Sequence, residues 1–182
     1  MTDQPVIRNK ARTRQRILEA ADAIARGEGP ASMSLDAVAA AAGVSKGGLL
    51  YHFPSKSKLL KALVDDYLSR FDSVLQDEER SGRPNAVILA YIQHFRSERL
   101  GRTPPPSGLL AVIAEDPDML APVQRYERNF LGRIRANATD PEFATVAFLA
   151  IQAVRSAELL NTQVLDESEI TQLTDWLTAR LP

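Results

Sequence analysis

Apolar residues recur along this chain at helical spacing, and nowhere with the strict alternation of a half-buried strand. Ile17, Ala21 and Ile24 form one stripe and predict a first helix over residues 13–26, stopped by GEGP at 27–30. Ser34 is placed to cap LDAVAAAAG, whose Leu35, Val38, Ala39 and Ala42 fall at i, i+3, i+4 and i+7 before Gly43 ends the helix. Ser45 is placed to cap a third, short helix running to about His52, which Pro54 closes. Ser55 can cap a long fourth helix, residues 55–77, with Leu60, Leu63, Tyr67, Phe71 and Val74 at helical spacing.

Beyond it, Pro84 opens AVILAYIQHF, apolar nearly all round, as expected of a helix buried on several sides. GRTPPP (101–106) reads as a loop and SGLLAVIAE (107–115) as a short helix ended by Asp116-Pro117. Pro122 begins a helix striped by Val123, Tyr126, Phe130 and Ile134. Pro141 opens EFATVAFLAIQAVRSAELL, and a last helix carries Ile170, Leu173, Leu177 and Leu181. The fold class is all-α, with a three-helix head over residues 1–54 and a larger helical body over 55–182.

One stretch does not read as scaffold. SKGGLLYHFPSKSKLL (45–60) sets two glycines, a Tyr-His-Phe triplet and three lysines between apolar runs. Two short helices joined at a Gly-Val turn, with small alanines where they cross, have the form of a helix-turn-helix, whose second helix lies in the DNA major groove. Ser45 and Lys46 then stand at that helix's N-terminus, and Gly47 and Gly48 remove side chains that would hold the backbone away from the groove. Tyr51 and His52 reach phosphates from its far end, Leu49 and Phe53 face the core, and Lys56 adds a cation at the start of the next helix. A C-capped helix with a glycine hinge accounts for the glycines but leaves the Tyr-His pair and the lysines unexplained.

The run SLDAVAAAAGVSKGGLLYHFPSKSKLL (34–60) resembles the DNA-binding signature of the TetR family of bacterial transcriptional regulators, with the match extending over residues 13–64. The resemblance implies an all-helical homodimer with a DNA-binding head and a C-terminal body that binds a small molecule and dimerises. Carried over by position, it implies DNA contacts from Ser34, Ser45, Lys46, Gly47, Tyr51, His52 and Lys56, to which the geometry above adds Gly48. Position 48, often a longer side chain in such proteins, is glycine here, and position 50, often aromatic, is leucine. Base reading therefore shifts towards Lys46 and the basic arm; a lysine can hydrogen-bond the major-groove acceptors of guanine.

Charge fits the division. The formal net charge is −1, yet residues 1–60 hold nine Lys/Arg against five Asp/Glu while the remainder is acidic. Polyanion binding then belongs to the first third. The chain has no cysteine, so disulfides, thiolate metal sites and cysteine nucleophiles are excluded. No apolar window approaches the length of a membrane span, and a cytoplasmic location without membrane association is expected. With only two histidines and no HExxH, Gly-x-Ser-x-Gly or phosphate loop, no enzyme activity, cofactor or metal is expected. An RNA-binding or architectural protein would be more broadly basic.

The body is read from pattern alone. Val146, Ala150, Ala153 and Ala157 form a small-residue stripe that, with Leu173 and Leu177 of the last helix, is the expected dimer interface, a four-helix bundle by family analogy. Tyr91, Phe95, Ile113, Met119, Tyr126, Phe130 and Phe148 are expected to wall a ligand pocket. Gln152 and Arg155, interrupting an apolar helix, are its expected polar anchors, since polar groups there are costly unless paired. Arg155 points to an anionic or carbonyl-bearing compound; its alternatives are a local pair with Glu158 or a place across the dimer interface. The function expected is a regulator, a repressor released from a palindromic double-stranded operator by a small lipophilic effector. The alternative is a small helical enzyme or ligand-binding protein with no DNA role.

Overall fold

The computed structural model describes residues 4–28, 33–100, 120–160 and 162–181. All regular structure among them is helical: α1 (Gln4–Glu28), α2 (Leu35–Ala41), α3 (Lys46–His52), α4 (Lys56–Arg80), α5 (Ala86–Leu100), α6 (Leu120–Asn137), α7 (Pro141–Leu160) and α8 (Glu167–Thr178). The expected 101–106 loop and 107–115 helix, with Ile113 and Met119, lie outside the described residues. No helix is long and apolar enough to cross a membrane among the described residues.

Packing divides the chain into two compact units, and the boundary between Tyr67 and Leu68 falls within α4. In the first unit, Ile17, Leu18 and Ala21 of α1 meet Val38, Ala39 and Ala42 around α2, Leu49 and Phe53 at α3, and Leu59, Leu60 and Leu63 of α4. The three serines read as caps behave as such: the hydroxyls of Ser34, Ser45 and Ser55 accept from the amides of Ala37, Gly48 and Lys58 at 3.1, 3.0 and 3.2 Å. Gly43, at φ +62°, takes the left-handed turn that ends α2. α1 starts nine residues before the expected position, because Asn9-Lys-Ala-Arg-Thr-Arg-Gln-Arg lacks apolar periodicity but is rich in residues that lose little freedom in a helix.

In the second unit, α5 is buried on several sides as its composition requires, through Val87, Ile88, Tyr91, Ile92 and Phe95, and it packs on α7 and α8. Val74 of α4 is a correction: it is 47% exposed, and Leu75 is fully buried in its place. Both positions follow Phe71 at helical spacing, and only the neighbouring helix decides between them. Pro84 does not open α5. It sits in a turn whose next residue, Asn85, has φ 61° and is wholly buried. Asn85 Nδ2 donates to Thr139 Oγ1 at 3.0 Å, the Thr139 amide donates to Asn85 Oδ1 at 3.0 Å, and Asn137 Oδ1 accepts from the Val87 amide at 3.0 Å. These bonds tie the α4–α5 turn to the α6–α7 turn, the latter closing just before Pro141 starts α7 as expected.

Candidate functional site

The eight residues expected to meet DNA lie on the α2–α3 unit and the start of α4, and none is buried. α3 is fixed from beneath by Leu49 and Phe53, which leaves its other face to solvent. A Cβ built on Gly47 meets nothing within 4 Å, and the residue has no positive φ, so folding makes no demand for glycine there. Gly48 differs, since its Cβ would sit 3.2 Å from the capping Ser45 Oγ. The Gly47 vacancy is a property of the surface, as expected where another molecule's backbone comes close.

At the start of α3, Lys46 is not free: its Nζ is 3.0 Å from Asp36 Oδ2 of α2, with both side chains largely exposed. A pair this exposed contributes about 0–1 kcal/mol. Asp36 was no part of the sequence reading; its single negative charge, ten residues away, gave no signal.

At the far end of α3, Tyr51 is 70% exposed and accepts a hydrogen bond from Lys10 Nζ at 3.2 Å, with the ammonium 4.8 Å from the ring centroid. Tyr51 and His52 stand edge to face at 5.3 Å. Arg14 covers Phe53 at 5.2 Å, and Arg16 donates to the carbonyls of Ala42 and, at 3.4 Å, Gly43. Burial, then Lys10, then Arg14 hold the His52 pKa below its ordinary 6.5. Lys10, Arg14 and Arg16 of α1 thus lie against the α2–α3 unit.

The expected ligand residues separate. Tyr91, Phe95, Phe130 and Phe148 are core: Phe71 meets Tyr91 at 5.5 Å and Phe130 at 5.2 Å, and Tyr91 meets Phe148 at 5.1 Å. Tyr126, half-buried, lies 5.9 Å from Phe130. Gln152 hydrogen-bonds Glu127, whose other partner is the Tyr91 hydroxyl at 3.5 Å. Burial raises the Glu127 pKa above its ordinary value, and burial also raises that of Tyr91.

Arg155 pairs with Glu98 rather than with Glu158. Its Nη2 is 2.8 Å from Glu98 Oε2, the two side chains being 16% and 12% exposed, and its guanidinium lies over Tyr91 and Phe95 at 5.7 and 5.5 Å. Glu158 pairs instead with Arg99. Glu98 also lies 3.4 Å from His94 Nε2, and burial, followed by Arg155, lowers the His94 pKa to about 4. Glu98 therefore offsets the Arg155 charge, and Glu127 is a second partly buried acid nearby, hydrogen-bonded by Gln152 and Tyr91 and within the field of Arg155. Sequence spacing brings Glu98 to notice only beside His94, as a pair too small to hold a metal, and Glu127 gave no signal although it follows Tyr126 in the expected stripe.

Of the expected interface, Val146 is 58% exposed, Ala153 is exposed, and Ala150, Ala157 and Leu173 are partly covered. Leu177 is a correction: at 1% exposure it packs inside its own chain, where the α8 stripe turns inwards. Ala150, Ala153, Ala157 and Leu173 line a cavity of about 270 Å³ with Val154, Val164, Leu165 and Ile170. Leu149 and Trp176 lie exposed on the same two helices. Among the described residues no group of His, Asp and Glu is arranged to hold a metal ion.

Residues 17–63 match the family described as bacterial regulatory proteins, tetR family, and residues 85–182 match the tetracyclin repressor-like C-terminal domain. Nucleoid occlusion factor SlmA of Yersinia enterocolitica is 30% identical over 112 residues, which cover 59% of this chain and 57% of that protein. The match thus spans less than two thirds of that relative. Among solved structures, a transcriptional regulator from Streptomyces coelicolor is similar with a TM-score of 0.67 at 19% identity, covering 93% of this chain and 98% of that one. The multidrug binding protein EbrR, in complex with imidazole, is similar with a TM-score of 0.64 at 21% identity, covering 93% and 94%.

Proposed function

Since the chain belongs to the tetR family of bacterial regulatory proteins, we propose that it is a ligand-responsive, DNA-binding transcriptional regulator acting as a homodimeric repressor on a palindromic operator. The observation that carries the reading is Gly47: a glycine on the solvent face of a capped, core-anchored helix, where the fold itself leaves room for a side chain. Around it Ser34, Ser45, Lys46, Gly48, Tyr51, His52 and Lys56 are accessible together, the condition for phosphate and base contacts. Two such helices reading a palindrome need two copies. The apolar α7–α8 face, with Val146, Ala150, Ala153, Ala157 and Leu173, is where the second would sit, and the half-site centres would lie about 34–36 Å apart or at a multiple of that.

The effector belongs with the polar groups of the second unit. EbrR, similar in fold, has been solved with imidazole and with malachite green. Here Glu98 neutralises Arg155, which of the anionic or carbonyl-bearing compounds expected from sequence disfavours the anion and favours a neutral or cationic lipophile, with Glu127 and Gln152 as its polar partners. Release of DNA requires the effector to favour a state of the dimer that misfits the operator.

The test is binding to duplex DNA selected from random sequence, measured against salt. A linear fall of log K with log salt and a selected palindrome are expected. Lys56→Ala should weaken all sequences alike and lower the slope by about one, whereas Lys46→Ala should relax preference at one position. Selection that yields no preferred duplex would overturn the reading and leave a ligand-binding protein without a DNA role.

A further inference from the structure

Lys10 and Arg14 extend the buried stripe of α1. Counting back from Ala21 and Ile17 by helical steps gives 14 and then 10, so the face that anchors α1 in the head's core runs on as two cations. That geometry delivers them to the end of α3. Lys10 touches Tyr51 by hydrogen bond and by ring face, Arg14 lies over Phe53, and His52 stands between, edge to face with Tyr51. The charged groups acting on His52 are Lys10 and Arg14 from α1; Tyr51 is its neighbour on α3, and α4 opens four residues later with Lys56, of the same sign.

Lys46, at the other end of α3, has a carboxylate partner in Asp36. Among the described residues, no carboxylate is in hydrogen-bond or ion-pair contact with Lys10, Arg14, Tyr51 or His52. Gathering like charges without a counter-ion does not stabilise a fold, but it makes a place for an anion.

We propose that Lys10, Arg14, Tyr51 and His52 form one composite seat for a single DNA backbone phosphate, and that His52 takes up a proton as the seat fills. The proposal rests on the duplex-binding reading above and adds proton linkage to it. In the free protein, burial and the two cations hold the imidazole pKa below its ordinary 6.5 and so favour the neutral ring. A phosphate between the cations cancels their field and favours imidazolium. The complex therefore binds more protons than the free protein, and affinity rises as pH falls through the interval between the two pKa values. The chain's other histidine, His94, has its pKa lowered to about 4 and stays neutral over this range.

The experiment uses the full chain and a mixed-sequence duplex at about 50 mM salt, because phosphate contacts do not depend on sequence. Affinity is followed by fluorescence anisotropy from pH 7.5 to about 5.5. Binding should tighten as pH falls, by no more than about tenfold per pH unit for one proton. His52→Gln should flatten the profile, and Lys10→Gln should both weaken the pH response and lower the salt slope by about one. A flat wild-type profile with the duplex bound, or a pH response that survives in His52→Gln, overturns the proposal. If His52→Gln does not fold, a Lys10→Gln chain with unchanged profile and slope overturns it equally. Failure of the wild type to bind any duplex at any pH would be different, since it removes the regulator reading itself.

Discussion

Replacing Gly47 by alanine separates what the fold requires from what a bound duplex requires. Gly47 is the second residue of the seven-residue α3, its φ is ordinary, and an added Cβ has open space around it. Alanine in a helix interior is favoured over glycine by about 0.8–1.0 kcal/mol. In a first turn, where the amide has no intrahelical acceptor, roughly half of that, about 0.5 kcal/mol, is expected. For a chain of this size the gain corresponds to a rise in melting temperature of roughly 1–2 °C. On DNA the same methyl meets whatever approaches the helix, and overfilling a close-packed contact costs about 1–3 kcal/mol, or roughly 5- to 150-fold in affinity. Gly47→Leu should abolish specific binding while the chain stays folded. Thermal unfolding by circular dichroism and anisotropy on the selected duplex measure the two effects. Unchanged affinity in both variants would refute the close approach of α3, and a loss of stability in Gly47→Ala would refute the claim that the fold leaves the position open. Gly48→Ala is the control, since its Cβ presses on the Ser45 cap at 3.2 Å and should bring no gain in stability.

The remaining predictions concern the second unit. Arg155→Ala takes the guanidinium from the partly buried Glu98 carboxylate, leaving His94 beside it, and should destabilise by about 3 kcal/mol in urea unfolding, with Arg155→Met/Glu98→Gln recovering most of the loss; an unchanged midpoint for the single variant would show that the pair carries no stability. Asn85→Ala should cost about 3 kcal/mol, because it leaves the Thr139 amide unpaired and puts alanine at φ 61°, whereas Asn85→Gly should cost less by sparing the backbone; equal losses would place the whole effect in the hydrogen bonds. His94, with a folded pKa of about 4 against about 6.5 unfolded, gives stability that is fully present above pH 6.5 and is lost as pH falls towards 4, by up to roughly 3 kcal/mol. Glu127, raised in the fold, acts in the opposite direction, so the measurement is the difference between wild type and His94→Gln; identical acid unfolding of the two would refute the His94 contribution.

The order of the described helices, the three serine caps and the α2–α3 unit were legible in the chain itself. Ser34, Ser45 and Ser55 cap amides only three residues on, Gly43 turns its own backbone, Pro141 starts α7, and stripes such as Val38-Ala39-Ala42 need only the helix's own period. These are short-range effects, and sequence determines them because both partners lie within one or two turns. Tertiary structure decided the rest. It chose Leu75 over Val74, turned Leu177 inwards, and gave Asn85 its partners more than fifty residues away. It also gave Lys46 to Asp36, Lys10 to Tyr51 and Arg155 to Glu98. A long charged side chain reaches several carboxylates of similar attraction, and its choice rests on which backbone the packing of apolar faces brings close. Arg155 shows the consequence for function: its charge in the sequence favours an anion, and only the folded position of Glu98 cancels that preference.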